Sequence, residues 1–226
     1  MDIKHVLDTI KTLKESSKKR NFTQTYDLVI SLREIDLKQP DQKVDVFLQL
    51  PHDRGKKIKV CAFVGDELAK QAAEVCDKVI VLNDFINWAK DKKALKKLGR
   101  DFDFFIAQAN LMGQIAGSFG RVLGTLGKMP NPKAGGVFPP NAQLKPLVER
   151  FRKLVRLITK NELAVKVMVG KENIDEKYVA ENIMAIYNAV VHALPNGEHN
   201  VKHVSLKLTM SNPIEIGEAK VEKVVK

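Results

Sequence analysis

Cysteine and tryptophan are scarce in this chain, two and one among 226 residues. Two cysteines, Cys61 and Cys76, cannot build a disulfide framework, and neither has a histidine at metal-ligand spacing, so a zinc site is excluded. Cys61 lies in the apolar run Val60-Cys61-Ala62-Phe63-Val64. It is expected to be a buried, reduced thiol, which fits a cytosolic protein. No apolar run approaches the roughly 20 residues that a membrane-spanning helix needs. Met1 to Lys14 is amphipathic but lacks an apolar h-region and a small-residue cleavage site, so no secretory signal is expected there. Internal repeats and long low-complexity segments are also missing.

What the chain does have is charge. Lys+Arg number 38 against 27 Asp+Glu, a formal net charge of +11. An excess of that size suggests an anionic partner: nucleic acid, acidic protein or membrane surface. The excess is uneven. Residues 58–154 hold 16 Lys+Arg and 9 Asp+Glu, net +7; the remainder hold 22 and 18, net +4. Bulk charge alone therefore points to the middle of the chain. Hydrophobic residues make up 44%, enough for a sizeable core in one large domain or two ordinary ones.

The pattern changes character twice. Val6, Ile10 and Leu13 share one face of an opening helix, which Lys18-Lys19-Arg20-Asn21 ends. Tyr26–Leu32 and Val44–Leu50 read as strands, followed by a connector of Pro, Gly and charge at 51–57. Strands at 58–64, 78–82 and 103–107 then alternate with helices from Asp66, from Asp84 to Lys97 and from about Asn110. That spacing predicts βαβ units around a parallel sheet. A glycine-rich loop, 124–140, precedes a helix over about 141–154. The first style then returns, with strands at 155–158, 164–169 and 204–208 and a long helix over 175–194, stopped by Pro195-Asn196-Gly197. The expected fold class is α/β with two domains. A discontinuous α+β outer domain, 1–57 plus 155–226, carries an inserted Rossmann-like α/β domain, 58–154.

Sites of catalysis find little support. Gly113–Gly127 superficially suggests a dinucleotide loop, but no G-x-G occurs and the segment follows the third strand of the insert rather than the first. Gly124-x-x-Gly127-Lys128 is followed by Met129, so no phosphate loop fits. His199 and His203 are four apart but run into a strand, and Asn200 stands where a zinc protease needs Glu. Asp101 and Asp103 read as a solvated turn. One segment is physically distinctive: GRVLGTLGKMPNPKAG, Gly120–Gly135. Glycines open unusual backbone conformations, two prolines stiffen the loop, and Arg121, Lys128 and Lys133 add charge with no acid between them. Such a loop suits a phosphate backbone, or else a rigid connector between domains.

At this segment the chain resembles the large-subunit ribosomal protein number one family, the protein of the mobile stalk. That family's loop reads much like G-R-x-L-G-x-x-x-x-M-P-N-P-K-x-G. Other landmarks agree: Arg20 to Thr25 before a strand, Leu50-Pro51-His52, Val169-Gly170-Lys171, Glu181-Asn182-Ile183 and Leu208-Thr209-Met210. The short N-terminus and compact length look more archaeal than bacterial.

The resemblance implies a non-enzymatic, ribosome-associated cytoplasmic protein without cofactor, a monomer off the ribosome. Its implied partners are large-subunit rRNA, its own mRNA under translational repression, and exit-site tRNA. The implied RNA contacts are Arg20, Phe22, Thr25, the loop Thr159-Lys160-Asn161, His203, Thr209, Met210 and Ser211. Arg121, Lys128 and Lys133 form a secondary RNA or hinge loop. Met210 is expected to pack under its loop, and Phe22 has the alternative of a core position. Ser211 stands where the family pattern has glycine. If that glycine serves a positive φ or a close approach, Ser211 must weaken contact or shift the chain. A nucleotide-binding α/β enzyme is the second reading, and a basic protein-interaction module the third.

Overall fold

The structure, a computed structural model, describes residues 1–217. The end of the expected outer domain, 218–226, lies outside the described residues. The chain folds as two compact units: Met1–Lys56 with the segment from Lys153 onward, and Lys57–Arg152 between them.

The outer unit begins with α1, Ile3–Ser16, whose Val6, Ile10 and Leu13 are buried and whose N-cap, Asp2, accepts the Lys4 N–H. β1, Thr25–Leu32, alternates strictly between half-exposed and buried residues. β2 is Asp45–Gln49. The inserted unit then runs β3 (Val60–Val64), α2 (Asp66–Val75), β4 (Lys78–Val81), α3 (Phe85–Lys90), α4 (Lys92–Asp101), β5 (Phe104–Gln108), α5 (Met112–Thr125), β6 (Val137–Phe138) and α6 (Leu144–Lys153). The outer unit resumes with β7 (Leu154–Ile158), β8 (Ala164–Lys171), α7 (Glu176–Ala193), β9 (Val201–Leu208) and β10 (Ile214–Glu215).

In the outer unit β10-β9-β1-β8 form an antiparallel sheet. One face, with Tyr26, Leu28, Ile30, Val165, Val167, Leu206 and Leu208, shares a core with α1 and α7. β2 and β7 make a separate two-stranded ladder, from Asp45↔Ile158 to Gln49↔Leu154. Asn182 of α7, fully buried, pins the outgoing chain. Its Oδ1 accepts the His52 N–H at 3.1 Å, and its Nδ2 donates to the carbonyls of His52 (3.2 Å) and Val169 (3.1 Å).

In the inserted unit β4-β3-β5-β6 are all parallel. β3 is buried along its whole length, as a central parallel strand must be. Phe63 sits among Phe85, Phe105 and Phe119, with ring centroids 4.8–5.8 Å away. Cys61 and Cys76 are free and buried, and burial pushes their thiols up to about 12 and about 11. Both stay protonated and unreactive at neutral pH.

Several boundaries differ from expectation. The helix expected over 84–97 is two helices, because Asp91 leaves helical geometry and its carboxylate caps α4, accepting the N–H groups of Lys93 and Ala94. β6 and β10 are two-residue strands, too short to show a period in sequence. The helix expected from 141 starts at Leu144, and Leu154 already belongs to β7.

Asp27 lies on the uncovered face of the outer sheet, half-buried between Met168 and Lys207 by register. Burial raises its carboxyl, and Lys207 opposes that more weakly. Ionising this carboxyl is therefore harder in the folded chain than in the unfolded one, so at neutral pH the half-buried carboxylate costs stability. The cost fades as pH falls through the carboxylate range. Asp27→Asn is expected to raise the urea midpoint at neutral pH and to leave it nearly unchanged near pH ~4. An equal gain at both values would mean that charge burial is not the cause.

Candidate nucleic-acid interface

The face of the outer sheet opposite α1 and α7 presents alternate residues of three strands. By register these form cross-strand rows: Lys171–Thr25, Met168–Asp27–Lys207, Lys166–Val29–Ser205 and Ala164–Ser31–His203. The residues implicated by sequence gather at the two ends of this face. Six β-residues separate Thr25 from Ser31, about 20 Å.

At the first end a buried glutamine joins three stretches of chain. Gln24 is 1% exposed. Its Oε1 accepts the Met210 N–H at 3.2 Å, its carbonyl accepts the Glu172 N–H at 2.9 Å, and its own N–H donates to the Glu172 carboxylate at 3.3 Å. Beside it, Thr209 Oγ1 accepts the Thr25 N–H at 3.0 Å and shares a hydrogen bond with Thr25 Oγ1 at 3.0 Å. Residues 184 positions apart are thus one unit. Ser211 closes the turn: its Oγ accepts the Leu208 N–H at 2.8 Å and its N–H donates to the Leu208 carbonyl at 3.1 Å. Its φ is not positive, since Glu34 is the sole non-glycine residue with positive φ among those described. Glycine is therefore not required at 211, and the serine hydroxyl serves as a local cap.

Phe22 and Met210 project from this unit, 51% and 60% exposed. Neither is core: the Met210 side chain is exposed rather than packed under the loop, while Gln24 holds its backbone N–H. Arg20 lies in the exposed run Lys18–Thr23. Gln24 itself was missed by sequence reasoning. The available signal was parity: 24, 26, 28, 30 and 32 share the buried side of one strand pattern, and a polar residue on that side needs a reason. Gln24 Nε2 and the Tyr26 hydroxyl are both buried without a partner. Burial, then Glu176 and Glu172, hold the Tyr26 phenol protonated by raising its pKa.

At the second end Lys160 and Asn161 are exposed, and His203 is half-buried beside a cavity of about 260 Å³ that Met1, His5 and Tyr187 also line. Thr159 turns inward. It is 3% exposed, and its Oγ1 accepts the Val44 N–H at 3.1 Å, so it fixes the loop rather than presenting a hydroxyl.

The glycine-rich segment of the inserted unit is a folding device. Its first residues, Gly120–Thr125, are the end of α5. Gly127, with φ +67°, stops that helix: its N–H reaches the Gly124 carbonyl and the Lys128 N–H the Leu123 carbonyl. Lys128 bends inward and donates to the carbonyls of Gly99 (2.9 Å) and Phe102 (2.7 Å). Asn131 accepts the Lys133 N–H through its side chain, and its carbonyl accepts the Gly136 N–H. A Cβ at 136 would lie 3.2–3.3 Å from the Asn131 backbone and 3.3 Å from the Phe105 carbonyl, so glycine is needed where β6 meets β5. Arg121 and Lys133 alone of the three cations stay exposed. The segment packs within the inserted unit and is not a connector between domains.

The strand order places a topological switch point between β3 and β5, where nucleotide sites form in such sheets. Here Gln108 fills it: its Oε1 accepts the Gly65 N–H at 2.9 Å at the start of α2. Among the described residues no group of three or more His, Cys, Asp or Glu is placed to hold a metal ion.

The model of the "Ribosomal protein L1p/L10e family" matches residues 13–212. The chain belongs to this family. "Large ribosomal subunit protein uL1" of Methanocaldococcus jannaschii is 37% identical over 223 residues, covering 99% of this chain and all of that protein. The proteins of the same name from Methanothermococcus thermolithotrophicus and Thermoplasma volcanium are 40% and 37% identical, each over 96% of this chain. Membership makes the chain a structural ribosomal protein, not an enzyme, and the α/β fold with an inserted Rossmann-like unit agrees with it.

Within this L1-family chain, Gln24→Met keeps the side-chain volume but leaves the Met210 N–H unpaired. It is expected to lower unfolding free energy by about 1–3 kcal/mol and to speed hydrogen exchange at the Met210 amide. Protection at Met210 equal to that of the parent chain would show that the bond does not hold the turn.

Proposed function

We propose that the outer unit makes the main contact of this chain with large-subunit rRNA at the mobile stalk, through Arg20, Phe22, Thr25, Thr209, Met210 and Ser211 at one end of its open sheet face and Lys160, Asn161 and His203 at the other. The observation that carries this reading is the junction at Gln24, which brings two family landmarks, Arg20–Thr25 and Leu208–Met210, side by side. Structured RNA is read mostly by shape, through 2′-hydroxyls and phosphates. The first end supplies threonine hydroxyls and a held turn for those groups, with Phe22 and Met210 as apolar surface for a sugar or base. Thr159 acts by setting the loop that carries Lys160 and Asn161. Arg121 and Lys133 are secondary contacts of the inserted unit, and Lys128 supports their loop from inside.

Two further roles rest on the same surface: repression of the protein's own mRNA through a mimic of the ribosomal site, and contact with departing exit-site tRNA. A cytoplasmic location on the ribosome goes with them.

The test is titration of the full chain with a stalk fragment of large-subunit rRNA at several salt concentrations. With few cations on the face, log K should fall against log salt with a slope of about −2 to −4. Lys160→Ala should weaken binding only a few-fold, with a melting temperature near that of the parent chain. Thr209→Ala should weaken it roughly 5- to 150-fold and also lower the melting temperature modestly, because its hydroxyl holds the Thr25 N–H. A slope of about −8 or steeper, with transfer RNA and heparin binding as well as stalk RNA, would instead describe a general polyanion binder.

A further inference from the structure

Between α4 and α5 runs a groove of about 710 Å³. Its apolar lining comes from Ala89, Leu95, Val122 and Leu126. Its cations are Lys92, Lys96, Arg100 and Arg121, all exposed, and no acidic residue lines it. Lys92, Lys96 and Arg100 are four residues apart, so they stand along one side of α4 at steps of about 6 Å. Arg121 faces the groove from α5, in line with Gly117 and Thr125. None of the four takes part in an ion pair among the described residues. Like charges at this spacing weaken a helix, so the stripe is a cost that the fold carries. The acids at the ends of α4 do not offset it there: Asp91 is engaged as the helix cap, and neither Asp91 nor Asp101 lines the groove.

The apolar part has its own cause. α4 and α5 approach closely at Gly99, where a Cβ would lie 2.4 Å from the Leu126 side chain. Leu126 leans over that gap and remains 38% exposed, an aliphatic surface held open beside four cations.

We propose that this groove docks an acidic amphipathic helix of a protein partner. An RNA strand would meet the rim charges, yet no aromatic ring lines the groove for a base to stack on. The Thr125 hydroxyl is turned back to the Arg121 and Val122 carbonyls, at 3.2 and 2.9 Å, and Ser118 is the other hydroxyl in the lining. The aliphatic floor would be left without a partner. A helix with leucines at i, i+3 and i+7 and carboxylates on its flanks satisfies both parts. Lys92 to Arg100 spans about 12 Å, roughly two turns of such a helix, and rim charge of one sign steers and orients it. Of the positions proposed for RNA, Arg121 alone lines the groove, so the proposal stands whether or not the outer unit binds stalk RNA.

Anisotropy titrations of the full chain at physiological salt test it with three labelled probes: a synthetic helix of leucines and glutamates in that pattern, a scrambled peptide of the same composition, and an oligouridylate of equal charge. The patterned helix should bind more tightly than the scrambled one by on the order of tenfold. Val122→Asp and the pair Lys96→Glu with Arg121→Glu should each remove that preference, with circular dichroism confirming the fold. Equal binding of both peptides would overturn the proposal, as would no binding. Oligouridylate binding more tightly than the patterned helix, and lost in the charge-reversed pair, would assign the groove to RNA and overturn it too.

Discussion

The outer unit depends on one short ladder. Five residues of β2 pair with five of β7, across the whole of residues 57–152. Closing so long an excursion costs little more than closing a short one, because loop entropy grows only with the logarithm of length. The ladder meets that cost with backbone bonds, with the Arg156 guanidinium on both oxygens of Asp45 at 2.7 and 2.8 Å, and with Arg54 donating to the Leu154 carbonyl at 3.1 Å. Thr159 is its last rung. A hydroxyl that sequence assigned to RNA is inside because the ladder needs a closing bond at Val44 more than the surface needs another hydroxyl.

The same logic runs the other way at Gln24. A buried amide is expensive unless its groups are paired, and here its acceptor oxygen is used to hold a turn whose side chains point out. The outward-facing Met210 has its backbone held by a residue that never reaches the surface. Ser211 completes the arrangement by capping the turn with its own hydroxyl, in a backbone conformation that does not call for glycine.

Much of this was legible in the chain. The apolar strand β1, the continuous apolar run of β3, the apolar face of α1 and the long helix α7 each appear close to where the pattern puts them. What was not legible has a common cause. Asp91, Thr159, Lys128 and Gln24 are polar residues whose direction is decided by partners distant in sequence or by a local cap, and composition treats a polar side chain as surface until a partner is known. β6 and β10 were hidden for a different reason: two residues carry no period.

The charge distribution now has a physical reading. The inserted unit holds most of the net charge, yet the cations in its most recognisable segment divide between tasks. Lys128 ties α5 to the end of α4, while Arg121 stands over the groove on the other side of the helix. The glycines and prolines that make GRVLGTLGKMPNPKAG recognisable stop a helix and seat β6. The glycine- and proline-rich character of this segment is thus largely a solution to a folding problem. In the outer unit, with the smaller charge, Thr25, Thr209 and Met210 are placed by specific hydrogen bonds between distant stretches of chain rather than by charge.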